Sequence, residues 1–228
     1  MVKVSNHKDI FKAIHRSQHC QRNWNLDQTI PQEDIDIILE SVTKCPSKQN
    51  KRFYDVHVLQ DRDMIEKLHK LTYGFSINLD VTTTNSQTLA NLVLVFESVF
   101  DPLLAKYAYL NRCILNPAVN VNEIDWSNHE YDETLLKHCE QEMKRDEHMA
   151  VGVAAGYSNL TASMMGYATG CCACFDKSGV KELLGLKGEC LLIMGIGIPG
   201  DRPRRVHHLH DDIVFPTKKK EQINTYWR

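Results

Sequence analysis

The stretch Lys44–Tyr54 reads Lys-Cys-Pro-Ser-Lys-Gln-Asn-Lys-Arg-Phe-Tyr and marks the end of one element and the start of another. Apolar residues at helical spacing precede it, and the strand-like sequence Asp-Val-His-Val-Leu follows. Because Pro46 cannot lie inside a helix, the helix must end here. Ser47 and Asn50 are short polar residues that hydrogen-bond locally. The break therefore offers backbone amides and side-chain acceptors to a flat polar ligand.

A basic and polar run lies upstream of that helix and ends in Arg22-Asn23-Trp24. Other distinctive pieces follow in chain order: Ile30-Pro31, Pro46-Ser47-x-x-Asn50, Gly152–Leu160, Phe175-Asp176, Leu183–Leu186 and Met194–Pro199. In this order, and in a chain of this length, the pieces resemble the FMN-dependent nitroreductase family across nearly the whole sequence.

The resemblance implies a fold and a reaction. The implied fold is α+β with three layers, in which helices flank a central mixed or antiparallel sheet and an extended tail, residues 199–228, wraps the partner of a homodimer. The implied cofactor is one non-covalent FMN per subunit, at the interface. NAD(P)H would reduce it, and a nitroaromatic, a quinone or another flat small-molecule electron acceptor would then be reduced on the same face by ping-pong kinetics.

Bulk properties agree with a globular enzyme. The 228 residues are 43% apolar and 25% charged, and no linker divides them, so we expect one domain over residues 1–228. A net charge of -2 gives no indication of nucleic-acid binding. No apolar run reaches the ~20 residues of a membrane span. The start of the chain does not resemble a signal peptide, and the cysteine spacing fits no disulfide framework, so we expect a cytoplasmic protein with reduced thiols.

Apolar periodicity predicts the elements. The predicted helices are Asp9–Arg16, one from Pro31 that buries Ile35, Ile37, Ile38 and Val42, then Asp63–Leu71, Ala150–Met165 and Val180–Leu184. The predicted strands are Tyr54–Leu59, Leu89–Phe96 and Cys190–Gly197, and Gly170–Asp176 is predicted as a tight loop. Residues 101–148 differ in composition, which favours an insertion, helical at Glu133–Lys144, that acts as a lid over a site.

Arg22 is the principal catalytic candidate. The resemblance places a basic residue two positions before an aromatic one at the N1–C2=O edge of the flavin, where negative charge develops on reduction. A fixed cation stabilises such charge. The alternative is an arginine exposed on the surface.

Phosphate-binding residues can be aligned in two ways. An ungapped alignment from Trp24 gives Gln18, His19 and Cys20, whereas an alignment from Arg16 needs a two-residue insertion. A phosphate prefers cations and backbone amides, which Arg16 and His19 offer. The family also closes this site with basic residues near the C-terminus. Here the tail offers two sets, Arg202, Arg204 and Arg205, and then Lys218 and Lys220. Lys218 and Lys220 correspond best in distance from the chain end.

The remaining cofactor contacts also come from the resemblance. Pro46, Ser47 and Asn50 would line the flavin of the partner subunit, Asn85 and Gln87 would approach the pyrimidine edge, and the loop with Cys172, Ala173 and Cys174 would present backbone N–H groups to N5. The sequence departs from the family at Lys48 and at Arg52-Phe53-Tyr54, which affects the pocket lining and substrate preference.

Three alternative functions remain at this point. The first is a specialised reaction on the same fold, such as reductive dehalogenation or flavin breakdown. The second is a non-enzymatic flavin carrier. The third is a Cys/His metal-binding protein, because Cys171 and Cys174 have ligand spacing and His207, His208 and His210 are candidate partners. Cysteines in such a small-residue loop more often pack as small apolar side chains, so we predict no metal.

Overall fold

A four-stranded antiparallel sheet forms the centre of the protein. The computed structural model describes residues 7–74, 76–78, 81–100, 133–217 and 219–227. The sheet strands are β1 (Tyr54–Leu59), β4 (Leu92–Ser98), β5 (Ala168–Cys172) and β6 (Cys190–Gly197), in the spatial order β1-β4-β6-β5. β2 (Ser76–Asn78) and β3 (Val81–Thr82) form a separate small hairpin. The sheet is thus antiparallel throughout, one of the two arrangements expected from the sequence.

Helices cover both faces of this sheet. In chain order they are α1 (His7–Ser17), α2 (Gln32–Thr43), α3 (Arg62–Lys70), α4 (Glu133–Met164) and α5 (Lys177–Leu184). Short 3₁₀ turns occur at Lys48–Asn50 and Ser86–Leu89. Pro31 immediately precedes α2, where its fixed φ suits a helix start and its missing N–H leaves no donor unsatisfied. None of the described helices combines the length and apolar character needed to cross a bilayer.

Strand β4 organises the two cores. Its side chains alternate, so Leu92, Leu94 and Phe96 pack with α2 and α4 while Val93 and Val95 pack with α3 and α5. Because both faces are covered, all seven residues are buried, which explains the continuous apolar run in the sequence. The predicted three-layer α+β fold is confirmed.

The start of β4 differs from the prediction. The strand begins at Leu92 rather than Leu89, because residues 86–89 form a 3₁₀ turn and Asn91 then redirects the chain. The Asn91 side chain donates to the carbonyls of Asn25 and Gln28, both at 2.8 Å, and accepts from the Ile198 amide at 3.0 Å. These bonds tie three loops together at one end of the sheet.

The predicted tight loop at Gly170–Asp176 is wrong over its first half. Gly170 and Cys171 lie in β5, paired with Gly195 and Met194 of β6. A Cβ on Gly170 would lie 2.9 Å from the Gln87 side chain, so the glycine permits close approach rather than a turn. The consecutive small residues here therefore belong to a strand that other side chains approach closely.

Two further expectations need correction or limitation. Ile37 was expected in the buried face of α2 but is 51% exposed, because it lies outside the arc formed by Ile35, Ile38 and Val42. The predicted helices Glu133–Lys144 and Ala150–Met165 are parts of one continuous helix, α4. Residues 101–132 of the predicted insertion lie outside the described residues.

The first half of the expected tail packs on its own subunit. Pro199 pairs with Trp24, and Val206 pairs with Val214 across a loop whose ends, at His207 and Phe215, are buried. Residues 216–217 and 219–227, by contrast, are exposed and contain no helix or strand. The expectation of one extended segment over 199–228 therefore applies at most to its last part.

A matched pair of substitutions on α2 tests the assignment of its buried face. Ile38→Ala should lower the free energy of unfolding by about 2–5 kcal/mol, because it leaves a cavity where the side chain is 0% exposed. Ile37→Ala, one residue away, should change it by less than about 1 kcal/mol. Urea denaturation followed by circular dichroism measures both. Equal losses would contradict the assignment.

Candidate functional site

Arg22 lies in a buried segment beside the edge strand of the sheet. The backbone N–H of Gln21 donates to the Thr169 carbonyl of β5 at 2.8 Å, and the backbone N–H of Arg22 donates to the Arg204 carbonyl at 3.1 Å. The Trp24 indole N–H donates to the Ser86 carbonyl at 2.8 Å. The segment is thereby held between the sheet, the 3₁₀ turn at residues 86–89 and the start of the tail.

The Arg22 guanidinium is shielded from water and incompletely paired. The residue is 8% exposed, and its Nε and Nη1 groups have no acceptor among the described residues. Its Cζ atom lies 4.5 Å from the ring centroid of Phe215. Burial lowers the pKa of Arg22 to about 10, with a further contribution from the charge of Arg205, so it stays protonated at neutral pH. The site therefore holds a buried cation with donors to spare.

Gln87 contacts this arginine from the 3₁₀ turn, which Asn85 caps. The Asn85 side chain caps the turn by accepting from the Gln87 amide at 3.2 Å. In the side-chain orientation that suits its neighbours, Gln87 accepts from Arg22 Nη2 at 3.2 Å and donates to the Cys171 carbonyl at 2.7 Å. The predicted residues Arg22, Asn85 and Gln87 are thus brought together.

The end of β5 completes this side of the site. The Cys172 thiol is buried, interacts with the Asn85 side chain and donates to the Cys174 carbonyl at 3.3 Å. That carbonyl also accepts from the Tyr73 amide at 2.8 Å. The N–H groups of Ala173 and Cys174 donate to no acceptor in the part of the chain that the structure describes. Both residues are exposed, and the contact of their amides to N5 of a flavin stays a prediction.

A second group of residues forms a positively charged patch. Burial lowers the pKa of His19, and the positive charges of Arg204, Arg205, His15 and Lys220 lower it further. Basic side chains from the start of the chain and from the tail are therefore close enough to act on one another. A phosphate or another anion would relieve this repulsion.

The remaining predicted phosphate ligands behave differently. Arg16 donates to the Ser163 carbonyl at 3.4 Å, at the C-terminal end of α4, which is a favourable place for a cation. Gln18 hydrogen-bonds to His15 on the exposed surface. The backbone of Cys20 forms an isolated parallel β-bridge with Thr169. Lys218 lies outside the described residues.

Arg204 and Arg205 were not chosen as site residues from the sequence. The tail was recognised as a source of cations, but distance from the chain end favoured the lysines. These arginines are identified only by the three-dimensional structure, in which the Arg204 carbonyl accepts a hydrogen bond from the backbone N–H of Arg22.

Pro46, Ser47 and Asn50 lie in a different region. Ser47 and Asn50 line an open cavity of about 570 Å³, together with Lys44, Lys51, Arg52, Phe53 and Tyr54. Asn50 has a φ of +52°, which asparagine tolerates better than most residues, and the Ser47 hydroxyl donates to the Lys51 carbonyl at 2.7 Å. No hydrogen bond or ion pair among the described residues links this cavity to Arg22 in one chain. Its assignment to the partner's cofactor stays a prediction.

Histidines fasten the tail loop to the body of the protein. The Thr84 hydroxyl lies 2.7 Å from His69 Nε2 and 3.4 Å from His207 Nε2, and His208 Nδ1 accepts from the Trp24 amide at 3.2 Å. Within the described ranges, no three His, Cys, Asp or Glu side chains are grouped as a metal site needs. The side chains of His207 and His208 form hydrogen bonds within the chain, and the His210 ring lies 4.9 Å from that of His207.

The comparisons with known proteins agree with the fold. A family model described as the nitroreductase family matches residues 16–198. No match was found among curated proteins. A candidate NAD(P)H:FMN oxidoreductase from Staphylococcus epidermidis superposes with a TM-score of 0.58 at 21% identity, covering 95% of this chain and 96% of its own.

Two further solved structures are similar. A candidate nitroreductase from Exiguobacterium sibiricum, in complex with FMN, has a TM-score of 0.59 at 16% identity, with 96% of this chain and 95% of its own covered. A nitroreductase family protein from Streptococcus pneumoniae has a TM-score of 0.57 at 19% identity, with 91% and 100% covered. At these identities the structures support the fold alone.

The buried histidines predict a loss of stability in acid. Burial lowers the pKa of His69 and of His207 to about 4, and the charges of His207 and His210, respectively, contribute further. Above pH 6.5 both are neutral whether folded or unfolded. Between 6.5 and 4 the unfolded chain binds protons that the folded chain excludes, so stability falls as the pH drops, by up to about 3 kcal/mol per histidine.

His207→Gln tests this interpretation, with the exposed residue His138 as the control site. The His207 variant should lose less stability than the wild type between about pH 7 and about pH 5. His138→Gln should behave as the wild type. Urea midpoints at both pH values provide the comparison, and an unchanged acid response in His207→Gln would count against a neutral buried histidine at this position.

Proposed function

This chain belongs to the nitroreductase family, and from that premise we propose that it is an FMN-dependent NAD(P)H oxidoreductase. Its proposed acceptors are nitroaromatics, quinones or similar flat molecules. The Staphylococcus protein is named as a candidate NAD(P)H:FMN oxidoreductase and the Exiguobacterium structure is a complex with FMN, which supports the choice of cofactor and reductant. Bound FMN would supply the hydride chemistry, accepting from NAD(P)H and giving to the acceptor in ping-pong order.

The observation that carries this proposal is the pairing state of Arg22. A buried cation with two N–H donors that lack acceptors is costly unless a ligand satisfies it. The carbonyl-bearing pyrimidine edge of a flavin provides acceptors, and negative charge develops there on reduction. A fixed guanidinium at that edge stabilises the developing charge without reorganisation. The residues present fit an FMN.

The other residues bind and orient. Gln87 holds one edge of the Arg22 guanidinium, and Asn85 fixes the turn that carries Gln87. The backbone N–H groups of Ala173 and Cys174 would donate to the central ring. At the phosphate end we propose His19, Arg204, Arg205 and Lys220, because the charges of the last three already act on His19.

We propose that the site is completed in a homodimer. Met149, Val153 and Tyr157 are exposed apolar side chains at four-residue spacing, so they share one face of α4. Gly152 and Gly156 lie between them, and a Cβ at either would meet nothing within 4 Å. This smooth apolar stripe suits close packing against a second copy, which would also bring the Ser47–Asn50 cavity of one chain to the cofactor of the other.

The exposed end of the tail fits the same assembly. Ile223, Tyr226 and Trp227 are large apolar residues, and Trp227 is 98% exposed. We propose that this last part of the tail packs on the partner, while residues 199–215 stay on their own subunit. The lid expected over residues 101–148 stays a proposal for residues 101–132 alone, since residues 133–148 belong to α4. The cysteine spacing, which fits no disulfide framework, favours a reducing, cytoplasmic location.

Visible absorption spectroscopy of the purified protein tests the proposed function. We expect flavin bands, or their appearance after FMN is added, and their bleaching under anaerobic NADPH or NADH. A yellow protein that neither nucleotide bleaches would favour the flavin carrier. A protein that binds no flavin would overturn the proposal. A bleached enzyme that reduces no quinone or nitroarene would favour a specialised reaction.

Arg22→Gln sharpens this test, because it keeps a polar side chain and removes the charge. We expect weaker FMN binding, a more negative flavin midpoint potential and about 100-fold slower reduction by NAD(P)H, as for loss of a charge-stabilising donor. Lys67→Gln, at an exposed position of α3, removes one positive charge elsewhere and should leave all three unchanged. Equal behaviour of the two variants would remove Arg22 from the mechanism.

The homodimer is tested by an arginine placed inside and outside the proposed interface. Val153→Arg puts a buried charge into the proposed interface and should yield monomers, with loss of bound FMN. Gln60→Arg introduces the same side chain at an exposed position between β1 and α3 and should remain dimeric. Light scattering coupled to size-exclusion chromatography reads both. A monomeric wild type with full flavin content would contradict the two-chain site.

A further inference from the structure

The loop between Arg205 and Phe215 is fastened at both ends. Val206 pairs with Val214, the His207 amide donates to the Ile213 carbonyl at 2.9 Å, and the Phe215 amide donates to the Arg205 carbonyl at 2.8 Å. The Arg205 side chain adds a bond to the Phe215 carbonyl at 3.2 Å and another to Pro216. These bonds fix the backbone on both sides of Phe215.

Aromatic contacts fix the ring of Phe215 as well. The ring is stacked against His207, with centroids 5.9 Å apart and an interplanar angle of 24°. His207 is 0% exposed and contacts Thr84 on the body of the protein. His207 therefore supports the Phe215 ring on one side. The Arg22 guanidinium carbon lies over the ring, 4.5 Å from its centroid.

An aromatic ring holds a cation in a particular way. A carboxylate in this place would neutralise Arg22 and occupy its N–H donors. The face of a phenyl ring attracts the guanidinium through its quadrupole and accepts no conventional hydrogen bond from it. Arg22 therefore keeps both its charge and its Nε and Nη1 donors for another partner.

We propose that Phe215 is a positioning residue for Arg22, so that the tail loop of each subunit sets the charge environment of the flavin ring in that same subunit. The proposal rests on the proposed function, since it assigns Arg22 to the ring edge of FMN. The loop would act through the position of the guanidinium, separately from the phosphate patch, to which it also contributes Arg205.

The test compares the binding of FMN and riboflavin, which share the ring but differ in the phosphate. Phe215→Leu should weaken both by about tenfold, the equivalent of a desolvated cation–π contact, and make the flavin midpoint potential more negative. Phe215→Tyr keeps the ring and should restore both. Phe11→Leu, the same change on an exposed phenylalanine of α1, should have no effect. Arg204→Gln should weaken FMN alone.

A shape-conserving variant covers the case in which Phe215→Leu does not fold. Pentafluorophenylalanine at position 215 keeps the size of the ring and removes its negative face, so it should reproduce the weaker binding in a folded protein. Circular dichroism and urea midpoints verify the fold of each variant.

Each contrary result has a distinct meaning. Unchanged binding in the Leu and pentafluoro variants overturns the positioning role while the proposed function stands. Loss of FMN binding alone would show that the loop acts only through the phosphate patch. Tighter binding would show that Phe215 occupies the cofactor's space. A wild type that binds neither flavin would refute the proposed function itself.

Discussion

A positive charge buried without a counter-charge is the constraint on which the site depends. No carboxylate among the described residues forms an ion pair with Arg22, and the neighbouring charge of Arg205 repels it. Desolvation of an ion costs several kcal/mol when no partner compensates it. Gln87 and Phe215 offset part of this penalty without removing the charge. The fold therefore holds Arg22 in a state that a ligand with an electron-rich edge would relieve.

The fold supplies this state through the crowded edge of the sheet. Thr169 of β5 binds the chain just before Arg22, and the absence of a side chain on Gly170 lets Gln87 approach. The tail then closes the other side, where the Arg204 carbonyl accepts from the Arg22 amide. Three segments distant in sequence must pack together before the guanidinium has its environment, so integrity of the site and integrity of the tertiary fold are coupled.

Hydrophobic periodicity predicted the layers of the fold well. It could not predict where segments distant in sequence pack closely together. The strand Cys190–Gly197 and the burial of Ile35, Ile38 and Val42 follow from local patterns, because alternation and helical spacing record which face meets the core. Gly170–Cys172 was misassigned, because small residues indicate a turn and a close contact equally well. The contribution of Phe215 could not be foreseen, since nothing local connects a tail aromatic to an arginine near the other end of the chain.

The same coupling divides the tail into two parts with different roles. Up to Phe215 the tail has backbone hydrogen bonds and buried side chains within its own subunit. Beyond it, Ile223, Tyr226 and Trp227 expose large apolar surfaces, which a chain in water covers when it can. In the proposed dimer, the tail up to Phe215 positions Arg22 of its own subunit. The part after Phe215 packs on the partner subunit. Ligand binding and formation of the proposed dimer would stabilise each other, because the partner's Ser47–Asn50 cavity would complete the site.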